Sequence, residues 1–247
     1  MRLRFFGTKG YVDATSPSHA GHSAFTVEAG GFRLLCDFGE SWKGRLAEIA
    51  PDAILISHGH PDHAWGLSSG ADVPVFASEV THALMADFPI ARREKLAPEE
   101  AANAGPFRIT AFPVVHSTRC PGIAARIETP DGILLYSGDV VGFETPDAGA
   151  RALAGVDVYV GDGSSLTASL VRRHPSGVLL GHTTVRAQLG WVAKAQVPRA
   201  IFSHWGEEPI GMGDAALAEA LDGLASAKTP GCDVSVAYDG KEFEIAV

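Results

Sequence analysis

Cysteine is scarce in this sequence of 247 residues: Cys36, Cys120 and Cys232 lie far apart, and none belongs to a Cys-x-x-Cys pair. This argues against a disulfide framework and against a thiolate zinc site. No run approaches 18 apolar residues, so no membrane-spanning helix is predicted. The N-terminus also lacks the apolar segment and small-residue cleavage site of a secretory signal. We therefore expect a cytoplasmic protein with reduced cysteines and no membrane partner.

Basic residues are in the minority, with 20 Lys and Arg against 29 Asp and Glu, and the formal net charge is −9 at pH 7. Affinity for nucleic acids comes largely from basic side chains that neutralise phosphates. The charge balance therefore argues against tRNA or another long nucleic acid as the partner. A small-molecule substrate is the better expectation.

Low-complexity linkers, charge blocks and solenoid repeats are also missing. The composition, 46% hydrophobic and 20% charged, is that of an ordinary globular protein. A chain of this length buries roughly three-quarters of its unfolded surface, so a large core forms without disulfides. We expect one domain over residues 1–247.

Short apolar runs rich in β-branched residues recur along the chain and are separated by Gly, Pro and Asp, which is typical of strands joined by turns. They predict strands at 2–6, 23–28, 32–37, 53–57, 73–77, 107–115, 123–128, 132–137, 156–160, 178–181, 200–203, 233–238 and 242–247. Helices are predicted at 78–88, 146–154, 165–173, 184–196 and 213–226. Hairpins come first, with turns predicted at Gly30-Gly31 and at Pro130-Asp131-Gly132. Strands alternating with helices come later, which indicates an α/β fold of two packed sheets with helices outside.

The most informative stretch is His58-Gly59-His60-Pro61-Asp62-His63, which begins where the apolar run 53–57 ends. Imidazoles at alternate positions of a strand point the same way, and a turn after Pro61 directs Asp62 and His63 elsewhere. These four ligand-type residues are more than one tetrahedral ion takes from so short a segment. The string therefore indicates two adjacent metal ions.

Three further strand-like runs lead into ligand-type residues, namely His116, Asp139 and His204. Each of them alone is more often a cap or turn residue than a ligand. Because the carboxyl ends of several strands can converge on one crevice, we expect them to join the histidine-rich string. The predicted metal cluster is His58, His60, Asp62, His63, His116, Asp139 and His204.

On these motifs, together with Asp37 in Leu34-Leu35-Cys36-Asp37, the sequence resembles the metallo-β-lactamase-fold hydrolases nearly end to end. The resemblance implies a four-layer αββα sandwich in which Asp37 accepts hydrogen bonds from ligand histidines. It also implies one metal on His58, His60 and His116, a second on Asp62, His63 and His204, and Asp139 between them. Asp139 stands where many true β-lactamases carry cysteine, which argues against antibiotic hydrolysis. His60 stands where the flavodiiron branch carries an acidic ligand, which argues against a redox di-iron role.

Within that superfamily the sequence is most similar to the ribonuclease Z-like phosphodiesterase branch. The similarity is carried by the segments 5–8, 37–40, 136–139 and 181–184. In that branch the histidine matching His182 pairs with an acidic residue, and Asp162 falls at the matching position. His182 also precedes a predicted helix capped by Thr183 or Thr184, whose free N–H groups would suit a phosphate oxygen. No basic insertion of the kind that grips tRNA occurs between His63 and His116.

The resemblance thus implies a dinuclear metal-dependent hydrolase, a phosphodiesterase that acts on a small or cyclic phosphodiester. A metal-bridging hydroxide, oriented by Asp62, would attack, and His182 with Asp162 would protonate the leaving group. Zn²⁺ is the expected metal for imidazole and carboxylate ligands, with Mn²⁺ as the alternative. Two other functions stay open: a lactonase- or thioesterase-like carbonyl-ester hydrolase on the same metal centre, and a non-catalytic metal-stabilised ligand-binding module. The resemblance also implies a homodimer, although the sequence shows no amphipathic seam.

Several residues near these motifs have simpler interpretations. We expect His19 and His22 in a solvated loop and His82 and His174 on the surface. Two tryptophans, Trp65 and Trp205, adjoin ligand segments, and both are candidates for lining the pocket. Lesser candidates for substrate contact are Ser164, Ser165 and Arg186.

Overall fold

The computed structural model describes residues 1–246. Its strands are β1 (Arg2–Gly7), β2 (Ala24–Ala29), β3 (Phe32–Cys36), β4 (Ala53–Leu55), β5 (Ala71–Ala77), β6 (Ile90–Lys95), β7 (Ala101–Ala104), β8 (Phe107–Val115), β9 (Gly122–Thr129), β10 (Gly132–Tyr136), β11 (Gly142–Phe143), β12 (Val158–Asp162), β13 (Arg172–Arg173), β14 (Leu179–Leu180), β15 (Arg199–Ser203), β16 (Asp233–Val236) and β17 (Glu242–Glu244). Its α-helices are α1 (Leu46–Ile49), α2 (Pro61–Ala64), α3 (Glu79–Leu84), α4 (Pro146–Leu153), α5 (Val185–Ala195), α6 (Glu207–Met212) and α7 (Asp214–Lys228). Two short 3₁₀ helices span Glu40–Trp42 and Trp65–Ser69.

The first sheet has seven strands in the order β17-β1-β2-β3-β4-β5-β6. Strands β1, β2, β3 and β17 pair antiparallel, and β3 to β6 run parallel. The hairpin between β2 and β3 turns at Gly30 and Gly31, whose φ angles are +57° and +76°. Two consecutive positive φ angles give the turn twist that a two-residue hairpin needs, which glycine adopts at low cost. The predicted Gly30-Gly31 hairpin is confirmed.

The second sheet contains the ordered strands β11-β8-β9-β10-β12-β15-β16, and β7 pairs with β8. Strands β8 to β10 form an antiparallel meander, and β10, β12, β15 and β16 run parallel. Parallel strands place their carboxyl ends at one edge of a sheet. Residues that follow β10, β12 and β15 therefore emerge side by side.

The two sheets pack face to face over one apolar core, and alternate residues of each strand supply it. Leu3 and Phe5 from β1 and Leu34 and Cys36 from β3 meet the inner residues of β8 to β15. The opposite faces pack against α1 to α3 on the first sheet and against α4, α5 and α7 on the second. Residues at i and i+2 share a face, so one strand serves both layers. The arrangement is the predicted αββα sandwich.

Most predicted elements form within a few residues of their expected bounds. Helix α4 begins as expected, with Pro146 in its first turn and the Thr145 hydroxyl accepting from the Ala148 N–H. Of the predicted strand 242–247, residues 242–244 form β17, and residue 247 lies outside the described residues.

The predicted helix at 165–173 is wrong. The segment forms turns and then β13, which pairs with β14 through Arg172 and Arg173. Its serine hydroxyls bond to nearby backbone: Ser165 Oγ donates to the Ala168 carbonyl at 2.7 Å, and Ser169 Oγ accepts from the Val171 N–H. Such local bonds compete with helical ones.

Strand β6 and strand β7 were not predicted from the sequence. Strand β6 carries Arg92, Arg93, Glu94 and Lys95 and lies at the edge of the first sheet. Edge strands often carry charges, which discourage pairing with other chains. Because these four residues are charged, the segment lacks the apolar alternation by which a strand is recognised in a sequence.

Candidate metal centre

The predicted ligands lie together at the edge where parallel strands end. His58 comes just beyond β4, His116 follows β8, Asp139 comes just beyond β10 and His204 follows β15. Both sheets contribute, so the cluster lies across the end of the sandwich. His204 has a φ of +59°, a left-handed conformation that is uncommon for a residue with a side chain. Strain of this kind is held in place by surrounding contacts and is often found at functional sites.

The remaining ligands come from the turn into α2. His60 is extended and precedes the helix, and Pro61 occupies the first helical position, where its missing N–H costs nothing. The chain therefore changes direction between His60 and Asp62. Asp62 and His63 lie in the single turn of α2 and are buried against the cluster.

Three histidines and one carboxylate form the first group. His60 Nδ1 is 2.9 Å from His58 Nε2 and 3.1 Å from His116 Nε2. Asp139 Oδ2 is 3.5 Å from His58 Nε2 and 3.6 Å from His116 Nε2. Ligands of a tetrahedral zinc ion are about 3.3 Å apart when each bond is about 2.0–2.1 Å. The spacing of the four atoms fits a metal ion.

The second group shares Asp139. His204 Nε2 is 3.1 Å from Asp62 Oδ2, and His63 Nε2 is 3.5 Å from the same oxygen. Asp139 Oδ1 is 3.1 Å from His63 Nε2. The two carboxylate oxygens of Asp139 thus face different groups, as a carboxylate between two metal ions does.

Two atoms of this cluster are buried without a hydrogen-bond partner among the described residues: His63 Nε2 and Asp139 Oδ1. A buried polar atom without a partner destabilises a fold by about 1–3 kcal/mol. A bound cation would remove that cost for both atoms at once. The donor set therefore fits a divalent metal ion.

Asp37 lies below the cluster and orients it through hydrogen bonds. Its carboxylate is fully buried and accepts from the Ser57 N–H and Ser57 Oγ at 2.7 Å, from Tyr136 Oη at 2.6 Å and from His63 Nδ1 at 2.7 Å. Ser57 Oγ in turn accepts from His58 Nδ1 at 3.1 Å. These bonds fix the rings so that the Nε2 atoms face the site.

Two other histidine rings are fixed in the same way. His116 Nδ1 donates to the Gly181 carbonyl at 3.0 Å. His204 Nδ1 donates to Ser164 Oγ at 3.0 Å, and Ser164 Oγ donates to Asp162 Oδ1 at 2.6 Å. The Nε2 atoms of both rings are then free to bind a metal.

The two groups differ in their proton affinity. Burial lowers the pKa of His60 to about 4, and it also lowers the pKa values of His58 and His116. In the second group burial alone would lower the pKa of His204. The negative charge of Asp139 and hydrogen bonds to other carboxylates outweigh burial and raise this pKa to about 10. The pKa of Asp62 falls to about 2, because His63 and His204 outweigh the effect of burial. Neutral imidazole is the form that binds a metal ion, so the first group is better prepared for metal binding than the second.

His182 and Asp162 lie beside the cluster as a bonded pair. Asp162 is the last residue of β12, and its Oδ2 accepts from His182 Nδ1 at 2.8 Å. Burial lowers the pKa of His182, but the charges of Asp162 and Asp139 outweigh burial and raise it. The His182 ring stacks on that of His204 at 5.6 Å between centroids, and its side chain is 22% exposed. His182, His204, Asp139 and Asp162 also form a third grouping close enough to hold a metal ion.

The N-terminus of α5 differs from the expectation. Thr184 is the cap, since its hydroxyl accepts from the Ala187 N–H. The N–H groups of Thr183, Val185 and Arg186 donate to the carbonyls of Val140, Ser165 and Leu166. These donors are therefore not free to bind a phosphate, because Val140 occupies the first of them and the irregular segment after β12 occupies the other two.

A cavity of about 890 Å³ opens above the cluster. It is lined by predicted ligands, by His182 and by Ser164 and Ser165. Trp65 lines the mouth, whereas Trp205 is fully buried and donates its Nε1–H to the Ala237 carbonyl. Of the two tryptophans, only Trp65 faces the cavity.

The expected solvated loop at His19 and His22 is wrong, because their side chains are only 1% and 9% exposed. His19 Nδ1 donates to Thr8 Oγ1 at 2.7 Å, and Thr8 Oγ1 donates to Asp239 Oδ1 at 2.7 Å. Asp239 Oδ2 also accepts from the N–H groups of Ala20 and Gly21. These bonds fold the loop against the protein.

The outcomes for the other minor candidates differ from one residue to the next. His82 is half-buried, with Nε2 donating to the Glu94 carbonyl at 3.0 Å, so its expected surface position is wrong. His174 is exposed as expected. Arg186 is exposed and does not line the cavity.

Sequence reasoning missed the buried residues that orient the site. Gln188 bonds to both backbone groups of Asp162: its Nε2 donates to the Asp162 carbonyl, and its Oε1 accepts from the Asp162 N–H. Its signal was a polar residue on the face of α5 that also carries Val185, Leu189 and Val192. Tyr136 and Ser57 gave no such signal, because they end ordinary apolar strands.

Two mixed sheets between helices, with a His/Asp metal-binding cluster across their carboxyl ends, define a metallo-β-lactamase-fold hydrolase. Residues 33–205 match the family described as "Beta-lactamase superfamily domain". Because the match spans more than half of the chain, the protein belongs to this superfamily.

Named relatives include two ribonucleases. The chain is 36% identical over 108 residues to ribonuclease J of Corynebacterium glutamicum, a match that covers 40% of this chain and 15% of that protein. It is 29% identical over 145 residues to ribonuclease Z of Methanopyrus kandleri, which covers 52% of this chain and 50% of that one. The chain thus spans half or less of the length of these relatives.

Among solved structures, the metallo-β-lactamase-fold protein YhfI from Bacillus subtilis superposes with a TM-score of 0.75. The superposition covers 99% of each chain at 18% identity, which is a likeness of fold. No helix within residues 1–246 is both long enough and apolar enough to span a bilayer.

Proposed function

We propose that this hydrolase is a phosphodiesterase that acts on a small or cyclic phosphodiester. The observation that carries the proposal is the His182–Asp162 pair beside the two metal-binding groups. The leaving group of a phosphodiester departs as an alkoxide, which needs a proton, and the charges of Asp162 and Asp139 raise the pKa of His182, which favours its protonated form. Relatives named as ribonucleases support the same bond class.

The residues present fit two divalent ions, and zinc suits a set of imidazoles and carboxylates, with manganese as the alternative. When bound, such ions lower the pKa of water to about 7 and offset negative charge on phosphoryl oxygens. His58, His60 and His116 would hold one ion and Asp62, His63 and His204 the other, with Asp139 between them. Asp62 would also accept a hydrogen bond from the attacking water and so orient it.

His182 would act from the opposite side of the phosphorus. Asp162 binds its Nδ1–H and thereby directs Nε2–H into the cavity. Ser164 and Gln188 keep the Asp162 carboxylate and backbone in place. The proton would pass from His182 Nε2 to the leaving oxygen as the P–O bond breaks.

The size and charge of the cavity support a small substrate. It holds about 890 Å³, which suits a mononucleotide-sized ligand. Of the described residues that line it, Arg119 is the only Lys or Arg, and Glu207 and Glu208 stand at the same mouth. A long polyanion would find little to neutralise it there.

The test uses purified protein loaded with zinc or manganese and two substrates, bis-p-nitrophenyl phosphate and a 2′,3′-cyclic nucleotide. We expect hydrolysis of both, and loss of bound metal together with activity in His58→Ala. Elemental analysis reports metal content. A fully loaded protein that hydrolyses lactones but neither diester would replace this proposal with the carbonyl-ester alternative, and one inactive on a broad ester panel would favour a binding module.

A further inference from the structure

The cavity mouth carries a cluster of exposed apolar side chains. Among the described residues seven large apolar side chains are exposed, and four of them line this cavity: Tyr11, Trp65, Leu84 and Leu170, at 64%, 45%, 44% and 43%. Isolated apolar side chains are common on protein surfaces, whereas a group of them around a pocket marks a binding site. We call these four residues the apolar rim.

Two rim residues are placed by glycines next to predicted ligands. A Cβ on Gly59, between His58 and His60, would lie 2.7 Å from Leu84 Cδ1, so Leu84 packs onto the backbone of the histidine string. Tyr11 follows Gly10, where a Cβ would lie 3.0 Å from His204 Nε2. The absence of a side chain at both glycines lets the rim approach the metal-binding groups.

The other two rim residues are placed by a third glycine and by the end of α2. A Cβ on Gly181 would lie 2.3 Å from the Leu170 carbonyl, so Leu170 is held against the residue that precedes His182. Trp65 directly follows α2, which carries Asp62 and His63. Each rim residue is therefore linked through the backbone to a part of the site. A group bound on the rim would lie next to the reacting phosphorus.

Charge at the mouth restricts what accompanies that apolar group. Glu207 and Glu208 line the cavity, and Glu207 is held by the Ala14 N–H, which donates to its Oε2 at 3.1 Å. Arg119 alone opposes them among the described lining residues. A second negative charge on the substrate would be repelled, whereas one charge would be neutralised at the metal-binding groups.

We propose that the cavity selects phosphodiesters of a single negative charge whose non-leaving ester group is apolar and seated on the apolar rim. This inference rests on the phosphodiesterase function proposed above. It adds the substrate class and names Trp65 and Leu84 as residues that determine specificity.

The test compares three p-nitrophenyl phosphodiesters whose non-leaving groups are methyl, phenyl and thymidin-5′-yl. Because all three share one leaving group, differences in kcat/KM report the non-leaving group. We expect phenyl to exceed methyl about tenfold, the low end for an apolar group in a partly open pocket. The thymidinyl ester shows whether the rim accepts a ring carried on a sugar or only a ring joined directly to the phosphate.

Variants then assign that preference to the rim. Trp65→Ala and Leu84→Ala should each reduce the phenyl-to-methyl ratio about fivefold, mainly through KM. The matched control is Val80→Ala, on the same helix as Leu84, 47% exposed and outside the cavity lining. The control should leave the ratio unchanged. Unaltered metal content in each variant shows that the site is intact.

A fourth ester tests the charge. A p-nitrophenyl diester with a carboxylate on its phenyl ring should react more slowly than the plain phenyl ester. Replacing both acidic residues, by Glu207→Gln and Glu208→Gln, should relieve that difference about threefold, the range of an exposed charge pair.

The outcomes separate the two proposals. Equal kcat/KM for methyl and phenyl esters would overturn the rim proposal while the phosphodiesterase function stands. If the metal-loaded protein cleaves no diester, the function itself fails, and the rim proposal with it. If Trp65→Ala and Leu84→Ala instead change the sedimentation coefficient and leave the ratio unaltered, the rim is a contact with a second copy of this chain, and the proposal is overturned.

Discussion

Replacing His182 by alanine separates proton donation from metal binding. His182 Nδ1 is bonded to Asp162 Oδ2 at 2.8 Å, and its side chain is 22% exposed on the cavity side. The change removes the acid but none of the seven predicted ligands. We expect metal content to stay at the level of the parent protein.

The size of the effect depends on the leaving group. A positioned general acid contributes about 10²–10⁴-fold when the leaving group is an alkoxide. The leaving group of a 2′,3′-cyclic nucleotide is an alkoxide. We therefore expect the kcat of His182→Ala on this substrate to fall at least about 100-fold. p-Nitrophenolate is a weak base that leaves without a proton, so the loss on bis-p-nitrophenyl phosphate should stay within about fivefold.

The assay measures kcat on both substrates for the parent, for His182→Ala and for Arg186→Ala as control. Arg186 is exposed, lies in the first turn of α5 shortly after His182 in the sequence, and does not line the cavity, so its removal should change neither rate. Elemental analysis accompanies each rate. Equal losses on both substrates with metal retained would refute proton donation. Loss of metal would instead make His182 a ligand, as the third grouping with Asp139, Asp162 and His204 allows.

Three further predictions follow from the contacts around the cluster. Tyr136→Phe removes the 2.6 Å bond to Asp37, so it should destabilise the fold by about 1 kcal/mol in urea unfolding and weaken metal affinity about tenfold by chelator competition; unchanged affinity would contradict the role of Asp37. Because the folded-state pKa of His60 is lowered to about 4 and that of His204 is raised to about 10, metal occupancy after dialysis should stay at one ion per chain near pH 6 and rise to two only as the pH approaches 10; loss of both ions at the same pH would contradict this order. Gly10→Ala places a methyl group 3.0 Å from the His204 ring and should lower occupancy of the second group, whereas Gly142→Ala, with no atom within 4 Å of its Cβ, should not; equal occupancy in both variants would show that the ring moves freely.

The short-range pattern along the chain determined the type of site. The string from His58 to His63 needs only a strand followed by a turn, both of which are local properties. His116, Asp139 and His204 were predicted because each follows an apolar run, and strand ends of an α/β sandwich meet at one edge. Short apolar runs bounded by Gly, Pro and Asp predicted the strands of the two sheets, and these runs are also local signals.

Only the tertiary structure decided what surrounds that cluster. Asp37, Ser57 and Tyr136 meet below it from separate strands, and Gln188 reaches Asp162 from the next helix, contacts between residues remote in sequence. The N–H groups of Val185 and Arg186 at the start of α5 donate to the irregular segment after β12, which the sequence had predicted to be helical. The apolar rim comes from four separate segments, and close contacts at Gly10, Gly59 and Gly181 place three of its four residues. Residue type and local period specify which groups can act, but which of them touch depends on how distant segments pack.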